Sequence, residues 1–243
     1  MTSSNQHRAL ITGASSGIGR ATALIFAEAG IELALVSRSQ PKLESVAAEV
    51  RSLGGKAKVY PLDLSQVDQV RSKMAAIVQD FSQDGSIDIL VNNAGMGLTG
   101  DLQSTSLEVW QQVINLNLTS VLQCIQAVVP GMRDRQSGTI INIASIAAHQ
   151  AFPEWGAYSV SKAGLVSLSK VLAAEERAHG IRVVTISPGA VNTPIWESDT
   201  MPSFDRSRML TPETIAQSIL HVALLPPQAT IEELTLTPSA GAL

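Results

Sequence analysis

The sequence predicts an α/β fold, a doubly wound parallel sheet with helices on both faces. Three observations lead there. Short apolar runs alternate with longer helical runs along nearly the whole chain, and strands separated by helices call for a parallel sheet covered on both sides. The strand runs ALIT, LALV, DILV and TIINI are apolar throughout, as expected where both sheet faces are buried. No internal repeat, low-complexity linker or composition break divides the 243 residues, so residues 1–243 are read as a single domain.

The elements follow in order. Residues 8–12 (RALIT) form the first strand, which breaks at Gly13. GASSGIG follows, then the helical run RATALIFAEAG, ended by Gly30. IELALVS is the second strand, closing on Ser37-Arg38-Ser39. Pro41 opens the helix PKLESVAAEVRSLGG, since proline suits a first helical turn. AKVYPLDL is a third strand, SQVDQVRSKMAAIVQDFSQ a third helix, and IDILVNNAG a fourth strand with an abrupt polar end. SLEVWQQVINLNLTSVLQCIQAVVPGM reads as one long helical region. GTIINIAS is a strand, AYSVSKAGLVSLSKVLAAEERAHG a long helix, and IRVVTISPG a strand ending in Pro-Gly. Residues 190–210 are irregular, TPETIAQSILHVALL is a helix and ATIEELTLTP a last strand.

Composition narrows the function. With 17 basic and 21 acidic residues the net charge is −4, which gives no electrostatic footprint for nucleic acid or an anionic membrane. The single cysteine, Cys124, lies in the apolar run SVLQCIQAVV and reads as a buried helix residue. The N-terminus is polar and lacks the apolar stretch of a signal peptide. No run reaches the ~18 apolar residues that span a bilayer. The sequon Asn117-Leu118-Thr119 would not meet glycosylation machinery in such a chain. The expectation is a soluble, cytoplasmic protein, and no metal site is assigned.

Gly13-Ala14-Ser15-Ser16-Gly17-Ile18-Gly19 joins the first strand to the first helix. Glycines there allow a tight turn and close approach of a ligand, and the helix N-terminus offers free N–H groups to a diphosphate. The end of the second strand selects the dinucleotide. NAD sites usually place an acidic residue there, about 20 residues beyond the glycines. This chain has Ser37-Arg38-Ser39, and an arginine between hydroxyls suits the 2′-phosphate of NADP. Asp63, at the end of the third strand, is a candidate contact for the adenine ring and equally a cap for the next helix.

Ser145, Tyr158 and Lys162 organise the second half. Tyr158 and Lys162 are one helical turn apart on one face. A cation so placed favours the phenolate, and so draws the phenol's pKa down from about 10 toward the working range. Such a phenol gives and takes a proton near neutral pH. Ser145 follows the strand TIINIA, where its hydroxyl could meet the same reacting oxygen. Taken alone, a Tyr-x-x-x-Lys pair reads first as a surface pair on a helix; the rest of the chain changes that.

Thr12-Gly13-x-x-x-Gly17-Ile18-Gly19, Asn92-Asn93-Ala94-Gly95, Ser145, Tyr158-x-x-x-Lys162 and Pro188-Gly189 followed by Thr193 resemble, in this order and spacing, the short-chain dehydrogenase/reductase family. The resemblance runs from about residue 8 to 237 and implies a Rossmann-type sheet. It also implies roles. Tyr158 would be the general acid in carbonyl reduction and the general base in alcohol oxidation. Lys162 would lower its pKa and hold the nicotinamide ribose. Ser145 would polarise the substrate oxygen. The family's catalytic asparagine aligns with Asn117, holding a water for proton relay to Lys162, while Asn115 is left as a helix-surface or capping residue. Gly13, Ser15, Ser16, Gly17, Ile18, Gly19, Ser37, Arg38, Ser39, Asp63 and Leu64 would bind the adenosine and phosphate parts of NADP(H). Asn92 and Ala94 would line the adenosine ribose, with Gly95 allowing close approach. Pro188, Gly189, Val191 and Thr193 would contact the nicotinamide end.

Residues 190–210 should lie over the substrate. They carry Ile195, Trp196, Met201, Phe204 and Met209, and Leu98, Ile146, Phe152 and Trp155 could add to an apolar pocket; the alternative is that these side chains only pack the lid. His149 and Glu154 lie in the loop between Ser145 and Tyr158, as substrate contacts or loop surface. The implied activity is NADP(H)-dependent interconversion of a small-molecule carbonyl and an alcohol. One branch of the family reduces 3-oxoacyl groups on acyl carrier protein and presents basic residues beside the site. Here those positions align with Gln136 and His179, although Arg133, Arg135 and Arg177 are near, and the branch's usual C-terminal ending is missing. The ending ATIEELTLTPSAGAL is more similar to NADP-dependent dehydrogenases of hydroxy acids and small alcohols. A non-catalytic dinucleotide-binding regulatory protein is the alternative from another class. The family also implies a homodimer or homotetramer through helices near 106–130 and 158–179, where Leu165, Leu168 and Leu172 are either interface or core.

Overall fold

The computed structural model describes residues 7–197 and 205–241. Seven strands, β1 (Arg8–Thr12), β2 (Glu32–Ser37), β3 (Ala57–Pro61), β4 (Ile89–Asn92), β5 (Gly138–Ile143), β6 (Ile181–Pro188) and β7 (Glu233–Leu236), form one sheet in the order β3-β2-β1-β4-β5-β6-β7. Every pairing is parallel. The helices are α1 (Gly17–Glu28), α2 (Gln40–Ser52), α3 (Val67–Phe81), α4 (Leu107–Ile114), α5 (Ser120–Arg135), α6 (Gly156–Glu176) and α7 (Pro212–Ala223). Sheet growth reverses at β1, which pairs with both β2 and β4, and such a switch point opens a crevice at the strands' carboxyl ends.

Strand alternation sends side chains into two cores. Ala9 and Ile11 of β1 pack with Phe26 of α1, Val46 of α2 and Ile219 of α7. Leu10, between them, packs on the other face with Met74 of α3, Ile125 of α5 and Leu165 of α6. Leu165 and Leu172 are buried and Leu168 is packed against this second core, so their recurrence along α6 marks core. Cys124 is buried there too, and its thiol is pushed up to about 12 by burial.

Several boundaries differ from the sequence expectation. Helix α1 starts inside the glycine loop, at Gly17, because the loop turns directly into the helix. β3 stops at Pro61, which leaves residues 62–64 free to reach the crevice. The region expected as one helix at 106–132 is wound as π-helix over Asn115–Thr119, between α4 and α5. Together these form a helix at 107–135 that is long and apolar enough to cross a membrane by length and composition. In the fold its Val121, Cys124, Ile125 and Val128 face the core.

The Asn92 side chain, expected beside the adenosine ribose, is engaged in the core. It is buried, and its Nδ2 donates to Asn142 Oδ1 at 2.8 Å. Asn142 Nδ2 donates to Ser169 Oγ at 2.8 Å, and that hydroxyl donates to Leu165 O at 2.7 Å. This ladder fastens β4, β5 and α6 through the core. Asn92 is the last residue of β4, and its side chain points into the sheet's helix layer rather than toward the crevice.

At the opposite, amino end of the strands, the buried Arg8 guanidinium pairs with Glu32 at 3.0 Å and lies 4.0 Å over the Phe81 ring. Phe81 is fully buried and meets Tyr60 edge-on, with centroids 6.4 Å apart. Phe81→Ala should therefore cost about 3–5 kcal/mol, from lost burial and the cavity left behind. Urea unfolding should show a lower midpoint with an unchanged m-value.

Candidate active site

A cleft of about 660 Å³ runs along the carboxyl ends of the strands. Its floor is the turn after β1. Gly13 and Gly17 have φ of +65° and +52°, which side-chain-bearing residues rarely adopt. A Cβ on Gly13 would sit 2.8 Å from Ala94 Cα. The turn is held from β4: Thr12 Oγ1 accepts from Asn93 N at 3.0 Å and Ala94 N at 3.1 Å, while Asn93 Nδ2 donates to Thr12 O and Gly13 O at 3.1 and 3.2 Å. Ser15, Ser16, Gly17 and Ile18 line the cleft. Ser16 caps α1 without using its side chain on the helix. Gly19 is buried beneath the turn, where a Cβ would collide with Gly13 O, so it packs the cradle from below.

One end of the cleft is formed by Ser37, Arg38 and Ser39, with Lys42 in the first turn of α2. Lys42 escaped the sequence reading, which stopped at the strand end. The buried Ser37 Oγ has no hydrogen-bond partner, a polar atom aimed at nothing in the chain. Asp63 and Leu64 line the same end, and Asp63 Oδ1 also accepts from Ser65 N at 3.0 Å, so the residue both closes its own turn and faces the cleft. Ala94 and Gly95 line the middle, where Asn93 takes the place expected for Asn92.

Ser145, Tyr158 and Lys162 converge at the far end, beside Pro188, Gly189, Val191 and Thr193. Ser145 leaves β5 in extended backbone, and its hydroxyl accepts from Ala147 N at 3.1 Å. The nearby Ser145 hydroxyl draws the pKa of the Tyr158 phenol down, but burial acts more strongly and the net shift is upward. Lys162 Nζ donates to Ile143 O, the last carbonyl of β5, at 2.7 Å, and lies 5.8 Å from the Tyr158 ring centroid. Burial lowers its pKa to about 8. The direct phenol–ammonium contact that the one-turn spacing suggests is not made in this geometry, because the ammonium is turned to the strand carbonyl.

Asn117 sits in the π-helical turn and is fully buried. Its Oδ1 accepts from Met96 N at 2.9 Å, and its Nδ2 donates to Met96 O at 2.9 Å and Ser161 Oγ at 3.0 Å. Both amide hydrogens are used within the chain, and the residue is absent from the cleft lining. Ser161, overlooked in the sequence, donates to Tyr158 O at 2.7 Å and joins Asn117 to the tyrosine's own turn. Asn115 lies where α4 passes into the π-helical turn, and its Oδ1 accepts from the exposed Gln111 side chain at 2.7 Å, a pair along the helix surface.

Ile146, Phe152, Trp155, Ile195 and Trp196 line the cleft around Tyr158, whereas Leu98 does not and Met209 is buried. Met201 and Phe204 lie outside the described residues. His149 and Glu154 stand away from the cleft; His149 Nε2 is 3.1 Å from Glu233 Oε1 and 3.3 Å from Ser187 Oγ. The cations considered for an acidic carrier are engaged within the chain. Arg133 Nε donates to Glu176 at 2.8 Å, Arg135 donates to Ile87 O at 2.5 Å, and Arg177 pairs with Glu232 at 2.8 Å. Gln136 and His179 face one another at 3.4 Å.

These residues fit a dinucleotide. The glycine cradle leaves room only for a ligand that approaches the backbone, the orphaned Ser37 hydroxyl waits for a partner, and Arg38 and Lys42 offer positive charge beside it. An all-parallel sheet with such a cradle, and a Ser–Tyr–Lys cluster at the far end, defines a dinucleotide-binding oxidoreductase. The chain belongs to the short-chain dehydrogenase family, whose model matches residues 7–202. It is 37% identical to the 3-oxoacyl-[acyl-carrier-protein] reductase of Thermotoga maritima over 223 residues, 88% of this chain and 89% of that protein. An alcohol dehydrogenase of Thermococcus sibiricus in complex with 5-hydroxy-NADP superposes with a TM-score of 0.88 at 28% identity, covering 98% and 99% of the two chains. A metagenomic short-chain oxidoreductase in complex with NADP gives 0.83 at 30% identity, covering 96% and 97%.

The buried Lys162 ties stability to pH. Below about pH 8 the lysine is protonated folded or unfolded, and the cost of burying its charge is present in full. Between about 8 and the ordinary value of 10.5 the unfolded chain holds a proton that the folded chain has released, so folding stability gains with pH. The gain is at most about 1.4 kcal/mol per pH unit. Urea midpoints of the ligand-free protein at pH 7 to 10 should rise relative to those of Lys162→Met, and parallel profiles would contradict the shift.

Proposed function

We propose that the protein is an NADP(H)-dependent oxidoreductase that interconverts a ketone or aldehyde with its alcohol, with Tyr158 as proton donor in reduction and proton acceptor in oxidation. The observation that carries this reading is the convergence of Ser145, Tyr158 and Lys162 at one end of a cleft whose other end carries Arg38 and Lys42. A carbonyl oxygen placed against both hydroxyls is polarised by Ser145 and receives its proton from Tyr158. The dinucleotide, when bound, supplies or takes the hydride.

The chain's residues divide the rest of the work. Gly13, Ser15, Ser16, Gly17 and Ile18 hold the diphosphate against the start of α1. Ser37, Arg38, Ser39 and Lys42 take the 2′-phosphate, where NAD-specific sites keep an acid. Asp63 and Leu64 face the adenine, and Ala94 and Gly95 its ribose. Tyr158, Lys162, Pro188, Gly189, Val191 and Thr193 hold the nicotinamide end. Lys162 is mostly protonated at neutral pH, so it places positive potential one turn from the phenol. Asn117 keeps α6 in register with the loop after β4.

A second reading, reduction of a 3-oxoacyl group on a carrier protein, is favoured by the Thermotoga maritima relative. The engaged Arg133, Arg135 and Arg177, and the neutral Gln136 beside His179, favour a free substrate instead.

NADPH consumption should be followed with ketones, aldehydes, 3-oxo esters and a carrier-bound 3-oxoacyl thioester. Turnover of the free carbonyls is expected, and a strong preference for the carrier-bound substrate would instead support the second reading. Tight NADPH binding with no turnover would mark a regulatory protein. Tyr158→Phe should lower turnover by roughly 10²–10⁴-fold while NADPH still binds. Arg38→Asp should move the NADPH-to-NADH affinity ratio toward NADH by about tenfold or more, the worth of a charged hydrogen bond; an unchanged ratio would remove Arg38 from the 2′-phosphate site.

A further inference from the structure

The walls around Tyr158 carry information that the reacting groups do not. Trp155 precedes α6, and its neighbour Glu154 has φ of +67°, a left-handed conformation that is unusual for a residue with a side chain. Backbone strain of this kind persists where the surroundings hold it in place, often at functional sites. Here Trp155 N donates to Phe152 O at 3.2 Å, Glu154 O accepts from Gly100 N at 2.8 Å, and Trp155 bridges to Gly100. The strained turn presents the indole to the cleft beside the reacting phenol. The Trp155 and Tyr158 rings meet edge-on, with centroids 5.3 Å apart at 68°. Trp196, from the segment after β6, packs directly on Trp155 edge to face at 5.8 Å and 61° and is anchored by Nε1 donating to Val191 O at 2.8 Å. Both indoles are only partly buried and line the cleft, as does Phe152.

We propose that Trp155 and Trp196, packed on one another, form an aromatic clamp whose joint surface selects uncharged aryl ketones or aryl aldehydes, the ring of the substrate lying against it while its carbonyl meets Ser145 and Tyr158. This rests on the oxidoreductase reading above and names the substrate class. The chemistry of the wall supports it. Met96, Phe152, Trp155, Ile195 and Trp196 surround the phenol, and among the described residues Lys162 is the one ionisable lining group besides Tyr158 at this end. A carboxylate on the substrate would lose its water there with little in return. Aliphatic side chains would satisfy any apolar substrate, but two fixed indoles reward a flat ring through edge and face contacts in addition to its buried area.

The test uses phenyl methyl ketone and its saturated counterpart, cyclohexyl methyl ketone, which share a carbon skeleton. kcat/KM for NADPH-dependent reduction of each is measured in the native enzyme, Trp155→Leu and Trp196→Leu. The phenyl-to-cyclohexyl ratio should fall roughly two- to tenfold in either variant, the worth of one aromatic contact. Intrinsic reactivity cancels in that comparison, and general damage to the Tyr158 site lowers both ketones together. Quenching of tryptophan emission provides an independent binding readout, with phenyl methyl ketone titrating at lower concentration than the cyclohexyl ketone. Ratios unchanged in both variants, with Tyr158→Phe inactive on both ketones, would overturn the clamp and leave the oxidoreductase reading standing. Failure of the native enzyme to reduce either ketone, while other carbonyls are turned over, would also overturn the clamp alone. No turnover of any carbonyl would remove both.

Discussion

The site depends on two buried polar side chains that fasten α6 to the ends of β4 and β5. Lys162 reaches the last carbonyl of β5, and Asn117 clasps the Met96 peptide with one hand and Ser161 with the other. Neither contact is cheap to break, because a buried donor or acceptor left alone keeps its full desolvation cost. Without them the helix would keep apolar packing and the Asn142–Ser169 contact further along the core, but nothing polar would fix its Tyr158 end against the sheet. With them, Tyr158 has one height above the sheet and one distance from Ser145. The π-helical turn belongs to the same constraint: it carries Asn117 on a locally widened winding, and such bulges recur at functional sites.

The electrostatics follow from that anchoring. Burial moves both titrating groups toward their neutral forms, the phenol upward and the lysine down to about 8. Their one-turn spacing suggests a tight phenol–ammonium pair, but spacing along a helix fixes only where two side chains begin. The long lysine stem follows the strongest available acceptor, and here that is a backbone carbonyl. The pair therefore acts through potential at a distance rather than through a direct bond.

Much of the fold and most of the cleft could be read from the sequence because both are written in local patterns. The apolar runs locate the strands, and the glycine turn, Ser145 and Tyr158-x-x-x-Lys162 sit where βα connections must place them. What escaped depends on register and on three-dimensional neighbours. Asn92 and Asn93 are adjacent, and which of them faces the crevice turns on where β4 ends, since one residue reverses the face. Gly19 looks like a ligand contact in the motif but packs beneath it. Lys42 lies in the next element beyond the strand-end rule, and Ser161 sits between two conspicuous residues with a role visible only through Asn117. The left-handed Glu154 has no signature in composition, for glycine usually marks such a conformation.

The two halves of the sheet are joined at β1, whose neighbours are β2 on one side and β4 on the other. The backbone N–H of Arg8 donates to Asp88, 80 residues away. A long stretch of chain must be ordered before that junction is rewarded, and contacts of such separation slow folding. The cleft straddles the seam, with the Arg38 end on one half and the Tyr158 end on the other. A nascent chain can assemble β1 to β3 with their helices before β4 is available, but it then holds only a fragment of the cradle. Binding across the cleft is thus coupled to completion of the sheet, and a ligand that spans it reports, and by mass action favours, the fully assembled chain.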